Sequence, residues 1–143
     1  MVSLRGYDSG MNLRANSTFR AGDWSRLEGL LVPKLTVGAQ NAANAVLEIS
    51  QGIVPVASGD LQRSGGTAVE WKGTTVTGFV TYGAYYAAYV EFGTGRRGAG
   101  SAGAGPFPYN QNWPGMVAQP YIRPALDQGR AQVMDAFREA LAV

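Results

Sequence analysis

The chain has 143 residues, enough for one domain with a real core and too few for a second. It has no Cys and no His, which excludes disulfides, thiolate nucleophiles, histidine general bases and Cys/His zinc sites. The net charge is only +2, with 15% charged residues, and the ten arginines are scattered, far from a nucleic-acid-binding composition.

Residues 1–22 carry few apolar side chains and no clear period, which predicts an extended N-terminal arm ahead of a single domain at 23–143. No run has signal-peptide length or approaches a membrane span, so a soluble protein made in a cytoplasm is expected. Asp23 suits the N-cap of a short helical turn over 24–32, and Pro33 suits the first turn of a main helix at 33–51. In that helix Leu35, Ala39, Ala42, Val46, Ile49 and Ile53 recur at spacings 4, 3, 4, 3, 4, one helical face. Gly52 stands where a C-cap glycine belongs, and Pro55 follows.

Residues 54–63, VPVASGDLQR, read as a turn-rich connector. Residues 67–72 and 74–82 are rich in Thr, Val and aromatics and predict an antiparallel hairpin. In its second strand Val76, Gly78, Val80 and Tyr82 share one face, Thr75, Thr77, Phe79 and Thr81 the other. Tyr85, Ala88, Tyr89 and Phe92 predict one face of a short helix over 85–92. Residues 93–118 hold seven Gly and three Pro in 26 positions, too long for an ordinary loop and therefore either mobile or functional. From about Pro120 a stripe of Ile122, Leu126, Gly129, Val133, Ala136, Phe137, Ala140 and Leu141 predicts an amphipathic C-terminal helix. The expected fold is α+β, with the hairpin, or small sheet, carrying both long helices on one face.

Gly93–Gly98 matches G-x-G-x-x-G, but AGSAGAGPFP follows it and favours a flexible glycine loop over a helix-opening dinucleotide site. The ten carboxylates form no sequence cluster with metal-ligand spacing, which leaves a small carboxylate hydrolase far behind as a reading. No acid occurs between Phe92 and Leu126, whereas Arg96, Arg97 and Arg123 do. Glu91, at the border of that segment, is expected to pair with Arg123 or Arg63 and to pin the loop's base or link two subunits. Tyr85, Tyr86 and Tyr89 read as mixed core and interface rather than a stacking platform, because 82–92 contains no Lys or Arg. Arg96 and Arg97 are solvated loop charges or phosphate contacts.

Three runs then stand out together: VPVASGDLQRS (54–64), YYAAYVEFGTG (85–95) and AQPYIRPAL (118–126). In this order, after a helix, they resemble the small neck and tail-completion proteins of long-tailed double-stranded DNA bacteriophages, over roughly residues 30–142. The resemblance implies a non-enzymatic virion protein without cofactor or metal, located in the neck or tail and assembled in the host cytoplasm. It implies a ring, hexameric by expectation, that meets a head connector or stopper and a tail-tube or terminator protein, with no membrane partner. The interface residues expected are Tyr85, Tyr86, Tyr89, Glu91, Phe92, Arg96, Arg97 and Arg123. The alternative is a DNA-contacting module whose Arg96 and Arg97 touch genomic DNA in the channel. Ala57-Ser58-Gly59 stands where Asp-Thr-Gly is more usual in the family, and the first 22 residues are extra to it.

Overall fold

The computed structural model describes residues 2–4, 13–18 and 24–142, with side chains from residue 28 onward. The fold is α+β. In chain order it comprises β1 (Val2–Leu4), β2 (Leu13–Thr18), α1 (Trp24–Ile53), α2 (Asp60–Arg63), β3 (Gly65–Lys72) and β4 (Thr75–Tyr82). These are followed by α3 (Ala87–Phe92), α4 (Gly95–Ala99), α5 (Ile122–Gln128) and α6 (Arg130–Leu141).

The hairpin forms as expected and starts two residues earlier. β3 and β4 pair antiparallel from Gly65↔Tyr82 to Lys72↔Thr75, closed by the two-residue loop Gly73-Thr74. Alternation puts Val76, Val80 and Tyr82 in the core, and Ala68, Glu70 and Lys72 of β3 stay exposed. The expected arm is corrected in part. Its described residues are strands: β2 pairs antiparallel with β4 and β1 with β2, giving a four-stranded sheet in the order β1-β2-β4-β3. β2 satisfies the backbone groups of β4 that the hairpin leaves open. The rest of the arm, and the N-cap expected at Asp23, lie outside the described residues.

α1 is one helix rather than a turn followed by a helix, and it runs through Pro33. Proline removes one helical hydrogen bond and crowds the carbonyl four residues back, and the packed apolar stripe beyond it carries the helix across that defect. Gly52 likewise lies inside the helix and not beyond it; the chain leaves at Val54, whose amide donates to the Ser50 carbonyl at 2.8 Å. Leu35, Ala39, Ala42 and Val46 of the expected stripe are buried, joined by Ala43 and Ser50.

α1 is the middle of the molecule. One side packs on β3 and β4, the other on α5 and α6. The closing helix therefore lies against α1 rather than directly on the strands. Small residues permit both approaches. A Cβ added at Gly78 of β4 would stand 2.7 Å from the Ala39 carbonyl oxygen of α1. Gly78→Ala is therefore expected to push the helix off the sheet and cost about 1–3 kcal/mol, read as a lower urea midpoint with an unchanged slope.

The C-terminal stripe is also divided. α5 and α6 meet at Gly129, whose surroundings include the Ala125 carbonyl and the side chains of Val46 and Ile49. Ile122, Ala125, Val133, Ala136 and Phe137 are buried, whereas Asp127–Arg130 and Asp135–Arg138 form exposed ion pairs one turn apart. Such exposed pairs contribute little, about 0–1 kcal/mol each.

Tyr82 ties the sheet to the helices. Its hydroxyl lies 2.6 Å from that of Ser50, and its ring meets Tyr121 edge-on at 4.9 Å. Burial raises the Tyr82 phenol above its ordinary value of 10.0, and the Glu91 charge adds to the rise while the Ser50 bond opposes it. A raised folded-state value means that the neutral phenol's stabilisation is complete below pH 10.0 and lost as pH climbs through the folded value. Denaturation midpoints measured from about pH 9 to about pH 11 are expected to fall more steeply for the natural chain than for Tyr82→Phe.

Candidate functional site: a buried ion pair and the surface it supports

α3 is the centre of the site. Its buried face is Ala87 and Glu91, one turn apart, together with Phe92. The expected face differs: Tyr85 and Tyr89 point to solvent, 90% and 55% exposed. Burial went to the face carrying the charge because α5 begins directly against it.

Glu91 is fully buried and its carboxylate is saturated. Oε2 accepts the amides of Tyr121 at 2.7 Å and Ile122 at 3.0 Å. Oε1 accepts the Arg123 amide at 3.2 Å and Arg123 Nε at 2.9 Å. Glu91 thus caps the start of α5, where backbone N–H groups lack intrahelical partners and a negative charge is favoured. Of the two partners expected for it, the structure selects Arg123. Arg63 instead pairs with Asp60 in its own helical turn. The exposed Asp60 carboxyl is held below its ordinary range, first by the Ser58 hydroxyl and then by Arg63.

Arg123 carries the order outward. Its Nη2 donates to the Glu91 carbonyl at 3.1 Å and to the Gly103 carbonyl at 2.6 Å, and its guanidinium lies 4.6 Å from the Phe92 ring centroid. The pair is therefore a contact within one chain that pins the loop's base. Glu91 and Phe92, expected at an interface, are instead interior: the carboxylate bears burial because Arg123 and the α5 amides pair it, and the ring because burial takes its apolar area out of water. Arg123 is partly covered in the same cluster.

The loop 93–118 is folded on itself rather than a slack glycine run. Thr94 and Met116 exchange backbone bonds at 2.9 and 3.0 Å, and the Tyr109 hydroxyl donates to the Phe92 carbonyl at 2.9 Å and accepts from the Gly105 amide at 2.7 Å. The G-x-G-x-x-G run does open a helix, the short α4, against expectation. Its first free amides are occupied all the same: Arg96 donates to the Trp113 carbonyl at 3.0 Å and Arg97 to the Pro114 carbonyl at 2.9 Å. The Arg96 and Arg97 amides are therefore not open to a pyrophosphate. Arg96 and Arg97 are exposed.

Two apolar grooves flank α3. One, of about 260 Å³, lies between the 54–61 connector, Tyr86, Val90 and Met116. The other, of about 290 Å³, lies between Tyr89, Phe92, Phe107 and Trp113. The contribution of Phe107, Trp113 and Met116 was not legible in the sequence, where they sit inside a Gly/Pro run without period. Among the described residues no three His, Cys, Asp or Glu side chains gather as a metal site, and no helix is long and apolar enough to cross a membrane.

Comparison with family models, with curated proteins and with solved structures found no match. The three sequence runs nevertheless form one unit in space. The Glu of the second and the Arg of the third make the buried pair, and the first forms a groove wall opposite Tyr86 and Val90 of the second.

Proposed function

We propose that this chain is a non-enzymatic structural subunit of the head–tail junction of a long-tailed bacteriophage, assembling into a closed ring through the face around Tyr85 and Val56. The family resemblance of the three runs supplies the location, at a head-closure, terminator or tail-completion position. One observation carries the assembly: Tyr85 and Val56, 90% and 61% exposed, stand beside an apolar groove that none of the described residues fills. Tyr85 packs edge-on against Tyr86, a wall of that groove, at 5.2 Å, so the ring and the groove form one continuous apolar surface. Surfaces of this kind on a soluble subunit mark protein contacts, and burying each such side chain contributes roughly 1.5–3 kcal/mol. Head-to-tail contact of this patch with a different patch on the next copy closes a ring when the rotation allows it.

Electron microscopy and mass photometry of the purified protein are expected to show rings. Val56→Glu and Tyr85→Ser, both at exposed positions, are expected to leave the thermal midpoint unchanged and to shift the population to monomers. A natural chain that stays monomeric at high concentration and in the presence of tail-tube and connector proteins would overturn the reading.

A further inference from the structure

The second groove carries a different chemistry. It is walled by Tyr89 of α3 and by Phe107 and Trp113 of the loop, which are 55%, 44% and 53% exposed. Three half-exposed rings thus face one small cleft although they are up to 24 positions apart in the chain. The Phe107 ring and the Trp113 backbone are held in advance. Phe107 meets Phe92 edge-on at 4.9 Å, Phe92 is backed by the Arg123 guanidinium, and the Trp113 carbonyl is held by the Arg96 amide. A ring and a backbone held in this way lose little freedom when a ligand stacks there.

Two arginines adjoin the groove wall in the chain. Gly95 forms part of the groove wall, and Arg96 and Arg97 follow it directly. The Arg97 guanidinium reaches the Gly115 carbonyl, two residues beyond Trp113. No carboxylate occurs from Phe92 to Leu126. The nearest acid, Glu91, is buried and fully engaged with Arg123 and the α5 amides. The sequence places no Lys or Arg among the tyrosines of 82–92; the fold lays the loop that carries Arg96 and Arg97, both exposed, against α3.

We propose that this groove binds single-stranded nucleic acid, with one base stacking among Tyr89, Phe107 and Trp113 and its flanking phosphates meeting Arg96 and Arg97. Aromatic faces and guanidinium charge are the two components such sites combine, and stacking needs unpaired bases. The volume of about 290 Å³ lies at the small end of ligand sites, which suits one base rather than an extended ligand. The charge complementarity disfavours an apolar peptide, which would leave both arginines unused. The inference stands apart from the assembly reading, since the groove lies on the other side of α3 from Val56.

The test is fluorescence anisotropy of a labelled oligothymidylate of about ten nucleotides with the full chain, against a duplex of equal length and over a salt series. The single strand is expected to bind at least tenfold tighter than the duplex. Trp113→Ala and Tyr89→Ala are each expected to weaken it about ten- to a hundredfold with little change in thermal midpoint. Arg96→Gln/Arg97→Gln is expected to reduce the slope of log affinity against log salt by about 1 to 1.5. Repeating the titration with Val56→Glu separates loss of assembly from loss of nucleic-acid binding. Three outcomes would overturn the inference: no binding at low salt, equal binding to duplex and single strand, or oligonucleotide affinity left intact by both Trp113→Ala and Tyr89→Ala.

Discussion

Glu91→Ala is expected to lower the stability of the chain by about 3–5 kcal/mol, the usual cost of removing one partner from a buried ion pair. The loss has three parts. Arg123 keeps its charge in a half-covered position without its carboxylate. The amides of Tyr121, Ile122 and Arg123 lose their acceptor at the start of α5. The Gly103 carbonyl and the Phe92 ring lose the guanidinium's fixed geometry. Urea denaturation followed by circular dichroism measures the loss. Glu91→Gln is expected to cost less, about 1–3 kcal/mol, because its amide keeps one acceptor oxygen but turns an NH₂ toward donors. In a double-mutant cycle, Glu91→Leu with Arg123→Leu is expected to be less destabilised than the sum of the two single changes, since the second removes the stranded charge left by the first. A Glu91→Ala chain as stable as the natural one would show that the carboxylate holds nothing together.

Gly93→Ala is expected to be among the most damaging single-methyl changes in the loop, with Gly95→Ala and Gly115→Ala. Gly93 adopts φ +72°, a conformation that costs a residue with a side chain about 1–3 kcal/mol. The added Cβ would also stand 2.6 Å from the Ala118 amide nitrogen and 2.7 Å from both the Gly98 Cα and the Met116 carbonyl oxygen. All three are backbone atoms, which cannot swing aside as a side-chain tip can. Overpacking of this kind costs a further ~1–3 kcal/mol. The Thr94–Met116 pairing lies next to the collision, so the first bonds lost are those that close the loop. Hydrogen exchange is expected to show the amides of Thr94, Arg96, Arg97 and Met116 deprotected in this variant, while those of β3 and β4 remain protected. Equal loss of protection across the sheet would mean that the loop and the sheet unfold as one unit.

These two residues mark how far the sequence can be read. Glu91 was legible as a partner-seeking carboxylate because it borders a long acid-free segment that contains arginines. What it would hold was not legible. Capping of α5 depends on three amides some 30 positions away, and no local signal reports that approach. The tyrosines were legible as a cluster, but not the side to which each would turn. Helical spacing groups Tyr85 with Phe92, and only the position of α5 decides that Glu91 and Phe92 go inward while Tyr85 and Tyr89 go outward. The loop misled for a related reason. Glycine and proline signal an absence of regular structure, not an absence of fixed structure, and here the glycines permit backbone strands to lie closer than any side chain would allow.

What the sequence determined by itself were the local periodicities: the stripe of α1, the alternation of β4, the stripe across α5 and α6, and so the α+β class. Each depends on residues within a few turns or pairs of one another, where side-chain spacing alone selects the element that can bury its apolar face. The tertiary structure alone decided that α1 runs unbroken through Pro33, that residues 13–18 join the sheet, and that Arg123 rather than Arg63 meets Glu91. It also decided that Phe107 and Trp113 gather beside Tyr89. Those outcomes depend on which distant surfaces compete for the same partner, and that competition is settled by packing and by the cost of leaving a buried charge or backbone group unpaired.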